Sequence, residues 1–312
     1  MNNGESTPGG PRRTAGHSRD SAALLGLRVP LGIGTMTWGE SRLDARINSY
    51  VIPDAALRAI RKRAFDAGVT LIDTAEGYGG GTCEIRVRRA GFCRPGALVA
   101  TKFLPTLWRW SENAVVRSVR RSNRRLGVSC CDLCFIHSPV HPRSLEVWIR
   151  GAAKAMRMDL LKSLGVSKFS AEQVRRAQRA AERLGTRIAA NQILFNLLDY
   201  NAQPLQQTVR TCRELGIAVV GYGPLGQGLF ELWVDERKSP SHSIFSCGRS
   251  AVRRSRAAAR CNRKDRRTPW TNDVSGLHYL GNSQGHCTVG GNAVGCAACG
   301  QPRGDRVHAR RT

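Results

Sequence analysis

Short apolar runs recur along the chain, beginning near residues 29, 69, 97, 131, 161, 188 and 217. Each is a few residues long and rich in Val, Ile, Leu or Ala, the pattern of strands buried on both faces. Val29-Pro30-Leu31-Gly32-Ile33-Gly34 is the first. Segments of helical spacing stand between the runs. Leu57, Ile60, Ala64 and Phe65 repeat at that spacing, and Gly68 ends the helix. Ser170 and Gln173 form a capping box for a helix carrying Val174, Ala177, Ala181 and Leu184, with Gly185 as its stop. Leu205, Val209, Cys212 and Leu215 line a further helix closed by Gly216. Repeated strand-then-helix units predict a parallel sheet with helices outside it.

The pattern fails after residue 234. Leu, Ile, Val and Phe supply only nine of the 78 residues from 235 to 312, too few for a charged segment to bury a core. Arg253-Arg254-Ser255-Arg256 and Arg263-Lys264-Asp265-Arg266-Arg267 are basic runs, and Gly, Ser and Cys dominate the remainder of the chain. The expected organisation is a disordered segment over 1–27, a folded unit over 28–234, and a disordered basic tail over 235–312. A shifted reading frame or an alternative exon would produce such a break.

Composition bounds the function classes. The chain has 49 Lys and Arg against 23 Asp and Glu, a net +26. A balance this basic attracts anionic surfaces, but no interleaved aromatic pattern suggests base stacking, so nucleic acid is not the expected partner. No apolar run reaches 18 residues, so no membrane span is expected. Residues 1–27 lack the apolar core of a secretory signal. The eleven cysteines show no secreted disulfide framework. A soluble protein of a reducing compartment is expected, cytoplasmic or alternatively plastid. No metal site is expected. Cys130, Cys131 and Cys134 sit on a buried strand, where alternating side chains suit packing better than ligation, and Cys296-Ala297-Ala298-Cys299, with His286 and Cys287 nearby, is an incidental pair.

Four residues at the ends of predicted strands carry chemistry: Asp73, Tyr78, Lys102 and His137. In a parallel α/β barrel, side chains at the C-terminal ends of successive strands converge on one site. There a phenol, an ammonium, a carboxylate and an imidazole can deliver a proton to a carbonyl oxygen. Tyr78 would be the acid. Lys102 beside it would favour the phenolate and lower its pKa. Asp73 would pair Lys102, and His137 would orient the carbonyl.

Gly68-Val69-Thr70-Leu71-Ile72-Asp73-Thr74-Ala75-Glu76-Gly77-Tyr78-Gly79 resembles the signature of the aldo-keto reductase family around its catalytic Asp and Tyr. Ala100-Thr101-Lys102 and Phe135-Ile136-His137-Ser138-Pro139 resemble the family's Lys and His segments. Gly165-Val166-Ser167-Lys168-Phe169-Ser170 is similar to its G-V-S-N-F-S segment, with Lys168 where the family has Asn. Asn191-Gln192 and Gly221-Tyr222-Gly223-Pro224-Leu225-Gly226 complete the series in family order. The resemblance implies an α/β fold, a parallel (β/α)8 TIM barrel, incomplete at its C-terminus because only seven strands are legible. It implies an oxidoreductase that transfers hydride from NADPH to an aldehyde or ketone, as a monomer or weak oligomer acting on a small-molecule carbonyl substrate.

By the same resemblance, Ser167 and Gln192 would hold the nicotinamide carboxamide, Lys168 could reach a phosphate, Tyr222 would stack on the nicotinamide ring, and the backbone of Gly223, Pro224, Leu225 and Gly226 would approach the pyrophosphate. Trp38, Trp108 and Trp110 would flank the pocket mouth and favour an apolar or aromatic carbonyl. Some departures from the family point to weakened packing: Asn123 replaces Leu, Arg88 replaces Gly, and Cys83, Cys130 and Cys134 replace Ser, Tyr and Tyr. The missing C-terminal part gives an alternative from another class, a catalytically impaired reductase-like protein kept as a binding or regulatory module.

Overall fold

A computed structural model of the chain describes residues 20–40, 51–196, 199 and 201–224, together with the backbone of 277–282. The seven legible strands lie where the apolar runs place them: β1 Leu31–Gly34, β2 Leu71–Asp73, β3 Leu98–Phe103, β4 Cys131–Ile136, β5 Leu161–Ser167, β6 Ile188–Leu194 and β7 Ala218–Tyr222. Each pairs in parallel with the next. The eighth place is taken by β8, Leu277–Asn282, which pairs in parallel with both β7 and β1 and closes the ring.

Helices follow the strands as the apolar spacing dictates. Helix Asp54–Asp66 buries Leu57, Ile60 and Ala64, and Gly68 after it has φ +77°. Helix Ala171–Glu182 opens on the complete Ser170–Gln173 capping box. Helix Gln203–Glu214 buries Val209 and Cys212. Helices Thr82–Arg89, Asn113–Leu126 and Leu145–Arg157 complete the outer layer among the described residues. That layer packs on the outward side chains of the strands, Ile72 and Val99 on one side of the ring and Phe103, Ile136, Val166, Ile193 and Val219 on the other.

Two elements lie where the sequence predicts none. Residues 20–27 fall in the segment expected to be disordered, yet helix Ser21–Leu24 forms there with the Asp20 carboxylate accepting from Ala22 N at its start. The Ser21 hydroxyl accepts from Val219 N at 3.0 Å, and Ala22 and Leu27 join the inner barrel cluster. The apolar run Ala22 to Leu27 is too short to show a period, so the pattern does not reveal it. Strand β8 falls in the tail whose average composition reads as disordered. Leu277, Tyr279 and Leu280 give β8 three large apolar side chains in six residues, a local enrichment that averaging over 78 residues hides. The rest of the tail, including Cys287, Cys296 and Cys299, lies outside the described residues.

Inside the ring the cluster is Leu71, Ala100, Leu133, Phe135, Ala190, Ala218 and Val220. Gly165 is required there. A Cβ on it would stand 2.5 Å from Cδ1 of the Phe135 ring, closer than any carbon–carbon contact tolerates. Small residues on β3, β5, β6 and β7 leave room for one large ring from β4.

Asn123 is buried but not idle. Its Nδ2 donates to Ser129 O and Leu160 O, both at 2.9 Å, which ties the end of helix Asn113–Leu126 to the entries of β4 and β5. Only its Oδ1 lacks a partner, so the expected packing defect is half compensated. Arg88 is exposed, while Cys83 and Cys134 are core side chains.

Candidate active site

Side chains alternate across a strand, so a residue two positions beyond an inward side chain also points inward. Asp73 follows Leu71 by two, Lys102 follows Ala100, and His137 follows Phe135. Ser167 follows Gly165, Gln192 follows Ala190, and Tyr222 follows Val220. The same alternation that fills the barrel thus carries six of the sequence-selected residues to its C-terminal end.

Lys102 is the centre of this layer. Its Nζ donates to Asp73 Oδ2 at 2.5 Å, Thr74 O at 2.9 Å and Tyr78 Oη at 3.1 Å, which uses all three donors of an ammonium. Asp73 is held from its other side, where Gln192 Nε2 donates to Oδ1 at 3.0 Å. Tyr78 lies on the short 3-10 turn Tyr78–Gly81 after β2, a turn that requires Gly79, Gly80 and Gly81 at φ +54°, +63° and +100°. The His137 ring meets the Tyr78 ring edge-on, with centroids 5.9 Å apart.

Burial governs the protonation states. Loss of water raises the Asp73 carboxyl, and the Lys102 charge offsets only part of this. The expectation that Lys102 lowers the Tyr78 phenol is corrected: burial outweighs the ammonium, and the phenol is raised from its ordinary value. Burial, then the charges of Lys102 and Lys168, pull His137 down to about 3, so its ring is neutral at pH 7. Its Nδ1 is buried without a partner. Burial pulls the Lys102 ammonium down, but Asp73 and Tyr78 together outweigh it and leave Lys102 raised above its usual value.

The remaining sequence-selected residues divide. Ser167 is fully buried, and its Oγ has no hydrogen-bond partner. Lys168 is exposed, with φ +65° and its N–H donating to Gln192 O at 2.7 Å. Asn adopts this left-handed backbone more readily than Lys. Gly223 shares it at φ +67°. Pro224 is the last described residue of its loop, and Leu225 and Gly226 lie outside the described residues. Trp108 and Trp110 are 77% and 52% exposed on the loop after β3. Trp38 is corrected: it is buried, its ring 5.3 Å from Phe92 in the outer core, and it does not stand at the mouth.

A buried polar network below the loops is not legible in the sequence. Glu76 accepts from Leu104 N at 2.8 Å and Ser118 Oγ at 2.6 Å and pairs with Arg109. It fixes the segment between Asp73 and Tyr78 against the loop after β3. On the outer side Glu84 accepts from Thr101 Oγ1 at 2.6 Å and pairs with Arg125 at 2.5 Å. The available signal is an acid inside the Asp73–Tyr78 segment and an arginine between Trp108 and Trp110, but nothing in the linear order pairs them.

A sequence profile of the aldo/keto reductase family matches residues 30–263. The chain belongs to the aldo/keto reductase family. It is 27% identical to a chloroplastic pyridoxal reductase of Arabidopsis thaliana over 227 residues, which cover 68% of this chain and 61% of that protein. The chain thus matches about three-fifths of the length of this curated relative. A thermostable aldo-keto reductase solved with the inhibitor epalrestat superposes with TM-score 0.52 at 26% identity, covering 68% of this chain and 77% of that one. An aldo-keto reductase from Klebsiella pneumoniae solved with NADPH superposes with TM-score 0.50 at 26% identity, covering 65% and 68%. Among the described residues, no helix of this reductase-family chain is long and apolar enough to cross a membrane.

Proposed function

We propose that this chain reduces aldehydes or ketones with NADPH, and that Tyr78 gives the proton to the carbonyl oxygen. The observation that carries the reading is the use of the Lys102 donors. Because Nζ donates to Tyr78 Oη, the phenol oxygen is the acceptor and its own proton is left for a substrate. The raised phenol keeps that proton at neutral pH, and an alkoxide is basic enough to take it. Neutral His137 can donate from Nε2 to the same oxygen and fix the carbonyl's direction. Asp73 holds Lys102 in place and compensates its buried charge.

The nucleotide fits the residues present. NADPH, when bound, supplies the hydride. The buried Ser167 hydroxyl without a partner supports a role in binding a carboxamide, and the Tyr222 ring offers a flat face. The loop beginning at Gly223 lets backbone approach a phosphate, where a left-handed residue with a side chain would be strained. Trp108 and Trp110 give the mouth an apolar rim that suits aromatic or apolar carbonyls. Pyridoxal, the aromatic aldehyde in the name of the Arabidopsis relative, is the first compound to try, and a plastid location is compatible with that relative.

The test is to mix the purified full chain with NADPH and a panel of aldehydes and ketones. Nucleotide oxidation with one alcohol formed per NADPH is expected, with label from deuterated NADPH on the carbonyl carbon. Saturable nucleotide binding without turnover on any compound would favour the impaired, binding-only alternative.

A further inference from the structure

Lys168 stands where the family segment has Asn. Its backbone is pinned by the bond from its N–H to Gln192 O and by a left-handed φ, so the side chain starts from a fixed point beside Ser167. Its Nζ then lies over the face of the Tyr222 ring, 6.0 Å from the centroid. No carboxylate pairs with it among the described residues, and Asp73 at the site is already committed to Lys102. Loss of water and the nearby Lys102 charge lower its pKa. An unneutralised cation thus stands beside the surface on which a nicotinamide would rest.

The two redox states of a nicotinamide differ in charge. The reduced ring is neutral, and the oxidised ring is a pyridinium cation. A nearby ammonium is indifferent to the first and repels the second. We propose that Lys168 makes this site discriminate the oxidation state of its nucleotide, holding the reduced form and expelling the oxidised one. The inference rests on the nucleotide reading above. Hydride transfer would create a cation next to an ammonium, so the spent nucleotide leaves more readily and the site is biased toward carbonyl reduction over alcohol oxidation. An Asn at this position, as in the family pattern, carries no such charge.

Isothermal titration of the full chain with NADP+ and NADPH tests this without turnover. The two nucleotides share every phosphate, so the ratio of their dissociation constants isolates the ring. Lys168→Asn, which suits the left-handed backbone, is expected to lower the ratio of NADP+ to NADPH dissociation constants by about threefold to tenfold, the range for one partly solvated charge at this distance. Lys168→Arg is expected to keep the ratio. Lys168→Gln serves as a second neutral variant if thermal unfolding shows Lys168→Asn misfolded. If the neutral variants weaken both nucleotides equally, Lys168 serves the phosphates or the fold and the proposal is overturned while the nucleotide reading stands. If the wild-type chain binds neither nucleotide, both fall together.

Discussion

Gln192 reaches across the barrel to Asp73, 119 positions away in the chain, and donates Nε2–H to Oδ1 at 3.0 Å. Strand β6 thereby supports the carboxylate that steadies Lys102 on β3. The bond favours the charged form of Asp73, so its loss shifts the acid further toward neutrality. We predict that Gln192→Met destabilises the fold by about 1–3 kcal/mol, the usual cost of orphaning a buried acceptor. Urea unfolding measures it. A change within error would mean Asp73 is satisfied without Gln192.

Tyr78→Phe removes the proton but keeps the ring against His137. We predict a fall in carbonyl reduction of about a hundredfold to ten-thousandfold, the usual contribution of a positioned acid, with NADPH affinity little changed. Steady-state rates and a parallel binding titration separate the two effects. Unchanged turnover would remove Tyr78 from its role.

The Asp73–Lys102 pair is fully buried, so neither member is replaceable alone. We predict that Lys102→Met costs about 3–5 kcal/mol by leaving the carboxylate unpaired, and that adding Asp73→Asn returns part of it. Equal stabilities for the single and double variants would show that the pair is not coupled.

His137 titrates at about 3 in the fold and near 6.5 when unfolded. Its folded pKa is depressed, so its contribution to stability is complete above pH 6.5 and is lost as pH falls toward 3. We predict that acidification from pH 7 to pH 4 destabilises wild type more than His137→Asn, read as the difference between two urea series. The kcat/KM profile is also expected to lack a histidine step between pH 5 and 8. A step near 6.5 that disappears in His137→Asn would contradict the neutral, desolvated ring.

Asn123 gives a packing test. Its amide donates to Ser129 O and Leu160 O, and Leu160 O also accepts from Cys131 N. We predict that Asn123→Ala costs about 1–3 kcal/mol through the cavity and the lost bonds. Asn123→Leu is expected to cost less, since it fills the space and removes the orphaned Oδ1. The reverse order in thermal unfolding would show that the amide bonds dominate.

The residues that repeat are the residues that can be read. Seven strands, the Ser170 cap and the stops at Gly68, Gly185 and Gly216 arise from local spacing and backbone preference, and each stands in the structure where the pattern puts it. Asp73, Tyr78, Lys102 and His137 can be grouped because strand ends in such a barrel meet. The illegible features depend on distance or on burial. The Gln192–Asp73 and Glu76–Arg109 contacts join residues far apart in sequence. The raised phenol of Tyr78 comes from water exclusion, which no spacing displays. Trp38 and Trp108 are alike in a linear reading, and only packing sends one into the core and the other to the surface. Helix Ser21–Leu24 is a single turn, and β8 is set in a tail whose overall composition masks its few apolar residues.

The inward ladder makes strand register decide which side chains reach the candidate site. Slipping β3 by one residue would exchange Lys102 for Thr101 or Phe103 at the site and turn the ammonium out among the helices; the same slip on β4 would exchange His137 for its neighbour. Single-residue insertions or deletions inside β2 to β7 therefore change the composition of the candidate site, not only the packing. Length changes in the loop carrying Trp108 and Trp110 leave the strand rungs in place but disturb the Arg109–Glu76 pair, and through it the segment that carries Tyr78.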